Sequence, residues 1–169
     1  MSEEITPDAS SLFQDSLPIH PDMLISDLTT LKIQFEQFNH PPLKTVEDSK
    51  AHRDGMLTKH EGGGHIKNLY LRDHKKNNFF VVIQEDRAVD LKELADLMQS
   101  GRLSFGSADR LLENLGVRPG AVTPLSMITG VHKGVRLAID SDLFHMAKIY
   151  MHPLVNDRTL SMVPEELNK

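Results

Sequence analysis

Cysteine and tryptophan are both absent from this chain of 169 residues. Without cysteine there is no disulfide framework, no thiolate zinc site and no cysteine nucleophile. The absence also fits a reducing compartment. Phenylalanine (seven) and tyrosine (two) are sparse, so aliphatic side chains must fill most of any core. Long apolar runs are missing too. The longest, residues 79–83, falls far short of the roughly 20 needed to span a bilayer. Residues 1–8 are acidic and polar, with no cationic stretch leading into an apolar one, and do not read as a secretory signal. Positive charge is also short: the formal net charge is −5 and the sequence pI about 6.0. A protein gripping a long duplex needs a basic face, so DNA binding is not expected. Holding only the end of an RNA through a few local cations is compatible with this balance. These features point to a soluble, cytoplasmic protein.

What is present is ordinary globular material, 39% hydrophobic and 25% charged, enough for one domain. Residues 1–17 read as a loosely attached arm with a short helix near Ser10 to Gln14, and residues 18–169 as a single domain. Pro21 opens a helix carrying Met23, Leu24, Leu28 and Leu31 on one side. A short strand around Ile33, Phe35 and Phe38 follows. Thr45 caps a second helix that stops by Gly55, and Glu61-Gly62-Gly63-Gly64 reads as a flexible turn. Residues 66–73 and 79–84 form a hairpin turned by Lys75-Lys76-Asn77-Asn78. Asp90 and Ser107 cap two further helices, the second ending at Gly116. Strands are expected at 121–128, 135–140, 147–152 and 159–163, and Pro164 starts a last helical turn. This irregular alternation predicts an α+β fold: a mixed, largely antiparallel sheet, curled or partly closed into a barrel, with surrounding helices.

Three segments can carry chemistry. In His65-Ile66-Lys67-Asn68-Leu69-Tyr70-Leu71-Arg72-Asp73, alternation sets Lys67 level with Leu69 and Leu71. Either Lys67 snorkels to water at a strand end, or it reaches into a pocket to hold a phosphate, carboxyl or ester oxygen. Leu115-Gly116-Val117-Arg118-Pro119-Gly120-Ala121-Val122-Thr123-Pro124 fixes an unusual backbone path. That path is either a tight connection or a loop aiming peptide groups at a ligand. In His152-Pro153-Leu154-Val155-Asn156 the proline holds His152 extended. It is either an acid, base or hydrogen-bond donor or a strand-end histidine satisfied by backbone. The nine histidines include no HExxH pattern, and the glycine triplet is no P-loop. No metal or cofactor is expected.

With His40-Pro41-Pro42-Leu43-Lys44-Thr45-Val46-Glu47 and Gly101-Arg102-Leu103-Ser104-Phe105-Gly106-Ser107, these segments resemble the YbaK/prolyl-tRNA-editing family of aminoacyl-tRNA deacylases. They stand in the family's order across roughly 18–167. The resemblance implies a YbaK-like fold and hydrolysis of the ester of a mischarged tRNA, most simply Ala-tRNA(Pro). It implies catalytic roles for Lys67, Asn68, Gly120 and His152, a substrate cradle at Ala121, Val122, Thr123 and Pro124, and an acceptor-end contact at Arg102. Prolyl-tRNA synthetase or an elongation factor are candidate partners. Alternatives are a deacylase for cysteine or serine on tRNA, or a non-catalytic tRNA- or synthetase-binding module. The chain departs from the family at Ile128-Thr129-Gly130-Val131, where members often carry Asn-Asp.

Overall fold

The helices begin where polar side chains cap them. His20, Thr45, Asp90 and Ser107 accept hydrogen bonds from the amides of Asp22, Asp48, Lys92 and Arg110. They open α1 (Pro21–Thr30), α2 (Val46–Lys50), α3 (Leu91–Met98) and α4 (Ala108–Leu115). Each cap satisfies an amide that the first turn leaves free. The computed structural model describes residues 7–43, 45–53 and 55–168. The first six residues of the expected arm, Lys44 of the His40 segment, Asp54 and Lys169 lie outside the described residues.

Seven strands follow the hydrophobic pattern: β1 (Glu36–Asn39), β2 (Gly63–Asp73), β3 (Asn78–Gln84), β4 (Leu103–Phe105), β5 (Arg136–Ile139), β6 (Lys148–Met151) and β7 (Arg158–Met162). They form one open sheet in the order β1-β7-β6-β2-β3-β5, with β4 also on β2. Pairings are antiparallel except β2–β6 and β3–β5. The fold is therefore α+β with a mixed, mainly antiparallel sheet that does not close into a barrel. Alternation along the hairpin feeds two cores. Tyr70, Phe80 and Val82 join Leu24, Leu28 and Leu115 on one face. Leu71, Phe79, Val81 and Ile83 pack with Leu91, Leu94 and Met98 of α3 on the other. Among the described residues, no helix is long and apolar enough to cross a membrane.

Several local expectations are corrected. Residues 121–128 are not a strand: Thr123 accepts from the amide of Leu125 and Pro124 takes a first helical position. A 3-10 helix (Pro124–Ser126) then runs into α5 (Met127–Gly130). Proline's fixed φ suits a helix start and gives a ladder no donor. On α1 only Leu24 and Leu28 of the four apolar positions are buried, while Met23 (59%) and Leu31 (66%) are exposed. Ser11–Ser16 form a 3-10 helix, and this part of the arm is tied down. The Asn156 amide donates to Ala9 O at 2.8 Å, and Ser11 Oγ donates to Asp157 at 2.6 Å.

Gly63 and Gly64 are not a flexible turn but the start of β2, paired with Lys148 and Ile149 of β6. Side chains are excluded there by close approach, because a Cβ on Gly63 would overlap the Leu57 carbonyl. Gly63→Ala is expected to cost about 1–3 kcal/mol, the range for overpacking, read as a lowered denaturant midpoint with an unchanged slope. An unaltered midpoint would show that the Leu57 segment does not lie against β2.

Candidate active site

Strand β2 keeps β3 on one edge from Ile66 to Arg72. On its other edge β6 pairs only with Gly63, Gly64 and His65, and β4 only with Leu71, Arg72 and Asp73. Between them residues 66–70 have no strand neighbour on that side. A cleft of about 240 Å³ opens at the β6 end of this gap. Because it opens at a strand edge, residues of both faces line it: His65, Ile66, Lys67 and Asn68 all do. Gly120 and Val122 close one side, the α2 segment with Ser49, Arg53 and Met56 another, and Tyr150, Met151, His152 and Thr159 a third.

Lys67 is half-buried and forms no ion pair with a described residue. The neighbouring Arg53, by contrast, is paired through both terminal nitrogens, while its buried Nε has no partner among the described residues. Its Nη1 and Nη2 donate to Glu85 Oε1 and Oε2 at 2.8 and 2.6 Å, with side-chain exposures of 20% and 6%. A planar fork on a carboxylate is the strong form of such a pair, and it leaves Lys67 as the uncompensated cation among the described lining residues. Asn68 Oδ1 is buried without a partner among the described residues. An unsatisfied acceptor of this kind costs about 1–3 kcal/mol, a cost that a ligand donor would relieve.

The loop from Arg118 is built as a cradle. Gly120 sits at φ +95°, a conformation costly for residues with a Cβ. The Ala121 amide closes the turn on Arg118 O at 3.1 Å. The amides of Gly120 and Val122 have no protein acceptor among the described residues. Ala121 and Thr123 are fully buried and Pro124 is buried. None of these three lines the cleft; they shape the loop from beneath.

Two histidines have defined tautomers. A backbone carbonyl only accepts, so His152 Nδ1 donates to Arg158 O at 2.7 Å and leaves Nε2 as an acceptor. His65 Nε2 likewise donates to Leu57 O at 2.7 Å. The His65 ring stacks on Tyr150 with centroids 4.7 Å apart, and Tyr150 Oη accepts from the Leu57 amide at 2.7 Å. Burial is the main cause that pushes both histidines below their ordinary value, with the Arg53 guanidinium adding to it for His65 and the neighbouring His40 ring for His152. Both are neutral at neutral pH.

Lys67, Asn68, Gly120, Val122 and His152 are thus brought together. Arg102 is not: it is exposed, precedes β4, and lies roughly 20 Å along β2 from Lys67, six strand steps at about 3.3 Å each. Sequence reasoning missed Arg53, Glu85 and Tyr150. Nothing local marks a pair 32 residues apart. Sequence reading also missed the pair formed by Thr159 Oγ1 and His40 Nε2 at 2.7 Å. Among the described residues, no group of three or more His, Asp or Glu could hold a metal ion.

The sequence and fold correspond to a known class. The family model for the aminoacyl-tRNA editing domain matches residues 40–169, and the chain belongs to that family. It is 34% identical over 144 residues to prolyl-tRNA synthetase associated domain-containing protein 1 of Mus musculus, covering 82% of each chain. It is 32% identical over 147 residues to the prolyl-tRNA editing protein ProX of Acetoanaerobium sticklandii, covering 86% of this chain and 87% of that one. A crystal structure described as a candidate trans-editing enzyme for prolyl tRNA synthetase has a TM-score of 0.66 at 16% identity. It spans 87% of this chain and 88% of its own, a likeness of fold.

The depressed histidines make a stability prediction. Each has a folded pKa below its unfolded value of about 6.5, so below that pH the unfolded chain binds more protons. Stability should therefore be full above pH 6.5 and fall as the pH drops through 6. The slope is at most about 1.4 kcal/mol per pH unit for each histidine. Urea unfolding between pH 7.5 and 5.5 checks this, with His152→Gln expected to flatten the slope. A slope identical in the variant would show that His152 titrates normally.

Proposed function

We propose that the chain is a trans-editing deacylase that hydrolyses the ester joining an amino acid to the terminal ribose of a mischarged tRNA, with Ala-tRNA(Pro) as its substrate. The observation that carries this reading is Lys67, an uncompensated cation set beside Asn68 and the free amides of Gly120 and Val122. An aminoacyl ester is already activated, so positioning and electrostatic stabilisation suffice. Lys67 anchors the terminal phosphate or the ester oxygens. The Gly120 and Val122 amides face the oxyanion that develops as water adds to the carbonyl carbon. Asn68 Oδ1 takes a donor from the substrate, its α-ammonium or a ribose hydroxyl. The ribose hydroxyl assists the attacking water, and neutral His152 orients water through Nε2. The acyl–oxygen bond breaks, the ribose oxygen regains a proton, and free amino acid leaves.

The need for such an enzyme is energetic. A synthetase pocket shaped for proline rejects smaller alanine by only about 1–3 kcal/mol per missing methylene. A second cleft that admits alanine and excludes proline supplies the remaining discrimination. The tRNA acceptor end is the macromolecular partner, in the cytoplasm, and prolyl-tRNA synthetase is the protein whose errors this activity would clear.

The Thr159–His40 pair favours one rival mechanism, since a hydroxyl hydrogen-bonded to an imidazole nitrogen is the arrangement of an activated nucleophile. Its accessibility of 6% favours a structural role between β1 and β7. The test is deacylation of Ala-tRNA(Pro), with Pro-tRNA(Pro), Ala-tRNA(Ala), Cys-tRNA and Ser-tRNA alongside. Lys67→Ala is expected to lower kcat/KM by at least about 100-fold, the scale of losing one oxyanion donor, with Tm unchanged. Thr159→Val is expected to retain most activity. Full activity in Lys67→Ala would overturn the assignment. Loss only in Thr159→Val would favour a covalent route. Cleavage of cysteinyl or seryl esters alone would change the substrate, and binding of tRNA without cleavage would leave a non-catalytic module.

A further inference from the structure

The chain is acidic overall, and many of its cations are neutralised in place. Lys50 and Lys59 reach Asp86, Arg87 reaches Asp140, Lys148 reaches Glu36 and Arg158 reaches Asp22. Among the described residues, unpaired cations stand singly elsewhere, at Lys32, Lys92, Arg118, Lys133 and Arg136, but at the far end of β2 they gather. Arg72, the turn residues Lys75 and Lys76, Arg102 before β4 and Arg110 on α4 form no ion pair with any described residue. All but Arg72 are exposed. Asp73, the acid among them, is spent on the turn: its carboxylate accepts from the amides of Lys75, Asn77 and Gly101 and from the Asn77 side chain. Arg72 and Arg110 converge near the Tyr70 hydroxyl, where Glu113 is the acid that faces them. Beside them Phe105, paired with Leu71, is 66% exposed.

This cluster and the cleft occupy the two ends of the same unpaired edge of β2, roughly 20 Å apart by strand rise. Nucleotides along a strand are spaced about 3.4 Å, so about six nucleotides would bridge them. A ligand anchored by its 3′ terminus at Lys67 would therefore pass from single strand to paired stem as it reaches the cluster.

We propose that Arg72, Lys75, Lys76, Arg102 and Arg110 form a docking surface for the phosphate backbone of a paired RNA stem, with Phe105 packing against the sugar edge or last base. It rests on the reading of the cleft as a site for an RNA 3′ end. Cations without partners give up little on meeting phosphate and release its counterions. An exposed aromatic among them favours nucleic acid over an acidic protein.

The experiment measures affinity against KCl for three probes: uncharged tRNA(Pro), a hairpin of its acceptor stem, and a single-stranded oligonucleotide of its 3′ terminus. Wild type is compared with Lys75→Gln/Lys76→Asn; asparagine suits the φ of +67° at Lys76. For both stem-containing probes, the slope of log K against log salt is expected to shrink by about 2, near 0.9 for each phosphate that is no longer neutralised. Affinity at low salt should fall about tenfold, with the oligonucleotide unaffected. Arg110→Gln should remove about one further unit of slope. Unchanged stem affinity and slope in the variants would overturn the surface and point to an acidic protein partner. Equal losses on the oligonucleotide would overturn the division between cleft and stem. Stem binding through these residues by a wild type that cleaves no ester would instead sink the deacylase reading and leave the surface standing.

Discussion

The rest of the structure depends on a vacancy in one strand's pairing. Strand β2 has a partner on one edge along its hairpin, and on the other a partner only at each end. A strand edge presents amides and carbonyls that demand partners. Leaving residues 66–69 open in the middle of a sheet therefore creates a polar recess where a core would otherwise be. The arrangement is enforced from both ends. At the start, β6 can approach only because Gly63 and Gly64 have no side chains against Leu57 and Lys148. At the far end, Gly106 lets β4 turn away over the Tyr70 ring, and its amide donates to Tyr70 O at 3.0 Å. The glycines at 63, 64 and 106 thus set the width of the gap, and the gap decides where a ligand can sit.

Within the recess, charge is distributed so that one group acts alone. Glu85 would dominate the field of a small cleft, but the Arg53 fork compensates it through two hydrogen bonds, and Arg53 also donates to Ser49 of α2. Both buried histidines are held neutral. What remains is the ammonium of Lys67, partly shielded from water. Opposite charges 4 Å apart attract by about 1 kcal/mol in water and about 4 kcal/mol at an effective dielectric of 20. A half-buried lysine facing a developing oxyanion falls between these figures. That magnitude is the size of effect electrostatic catalysis uses, and it requires that no resident carboxylate quench it.

Much of the fold was legible because its signals are local. Asp90, Ser107 and Thr45 cap helices by contacts spanning two or three residues, and the 66–84 hairpin is written in alternation and a polar turn. The misreadings arise where local pattern and tertiary context disagree. Residues 121–128 carry β-branched and apolar side chains, yet Thr123 and Pro124 supply a cap and a fixed φ that start a helix instead. Strand β4 is three residues long and exists only because β2 offers it an edge. At the site, Lys67 could be singled out as anomalous on an apolar face, and the anomaly has a geometric cause: the face ends at an open edge. Arg53 and Glu85 carried no such mark, because each is an ordinary surface residue until the fold joins them. Arg102 was expected, by resemblance, to contact the acceptor end, and strand geometry sets it at the opposite end of the gap from Lys67.

On the proposed function, the two ends of that gap explain how a chain of negative net charge would serve an RNA substrate. Recognition by a long basic face gains affinity for every duplex in the cell, since phosphate contacts carry no sequence information. Here Lys50, Lys59, Arg87, Lys148 and Arg158 are quenched by neighbouring acids, and repulsion from the acidic remainder of the surface penalises RNA that lies elsewhere. A molecule with a free 3′ end and an adjacent stem can satisfy both ends of the β2 edge at once. Joining two weak sites on one ligand multiplies their affinities through effective concentration, so neither the cleft nor the cluster has to bind tightly alone. If the proposed function holds, selectivity for a tRNA end would follow from the spacing of two sites along one strand, and selectivity for the amino acid from the volume left around Lys67.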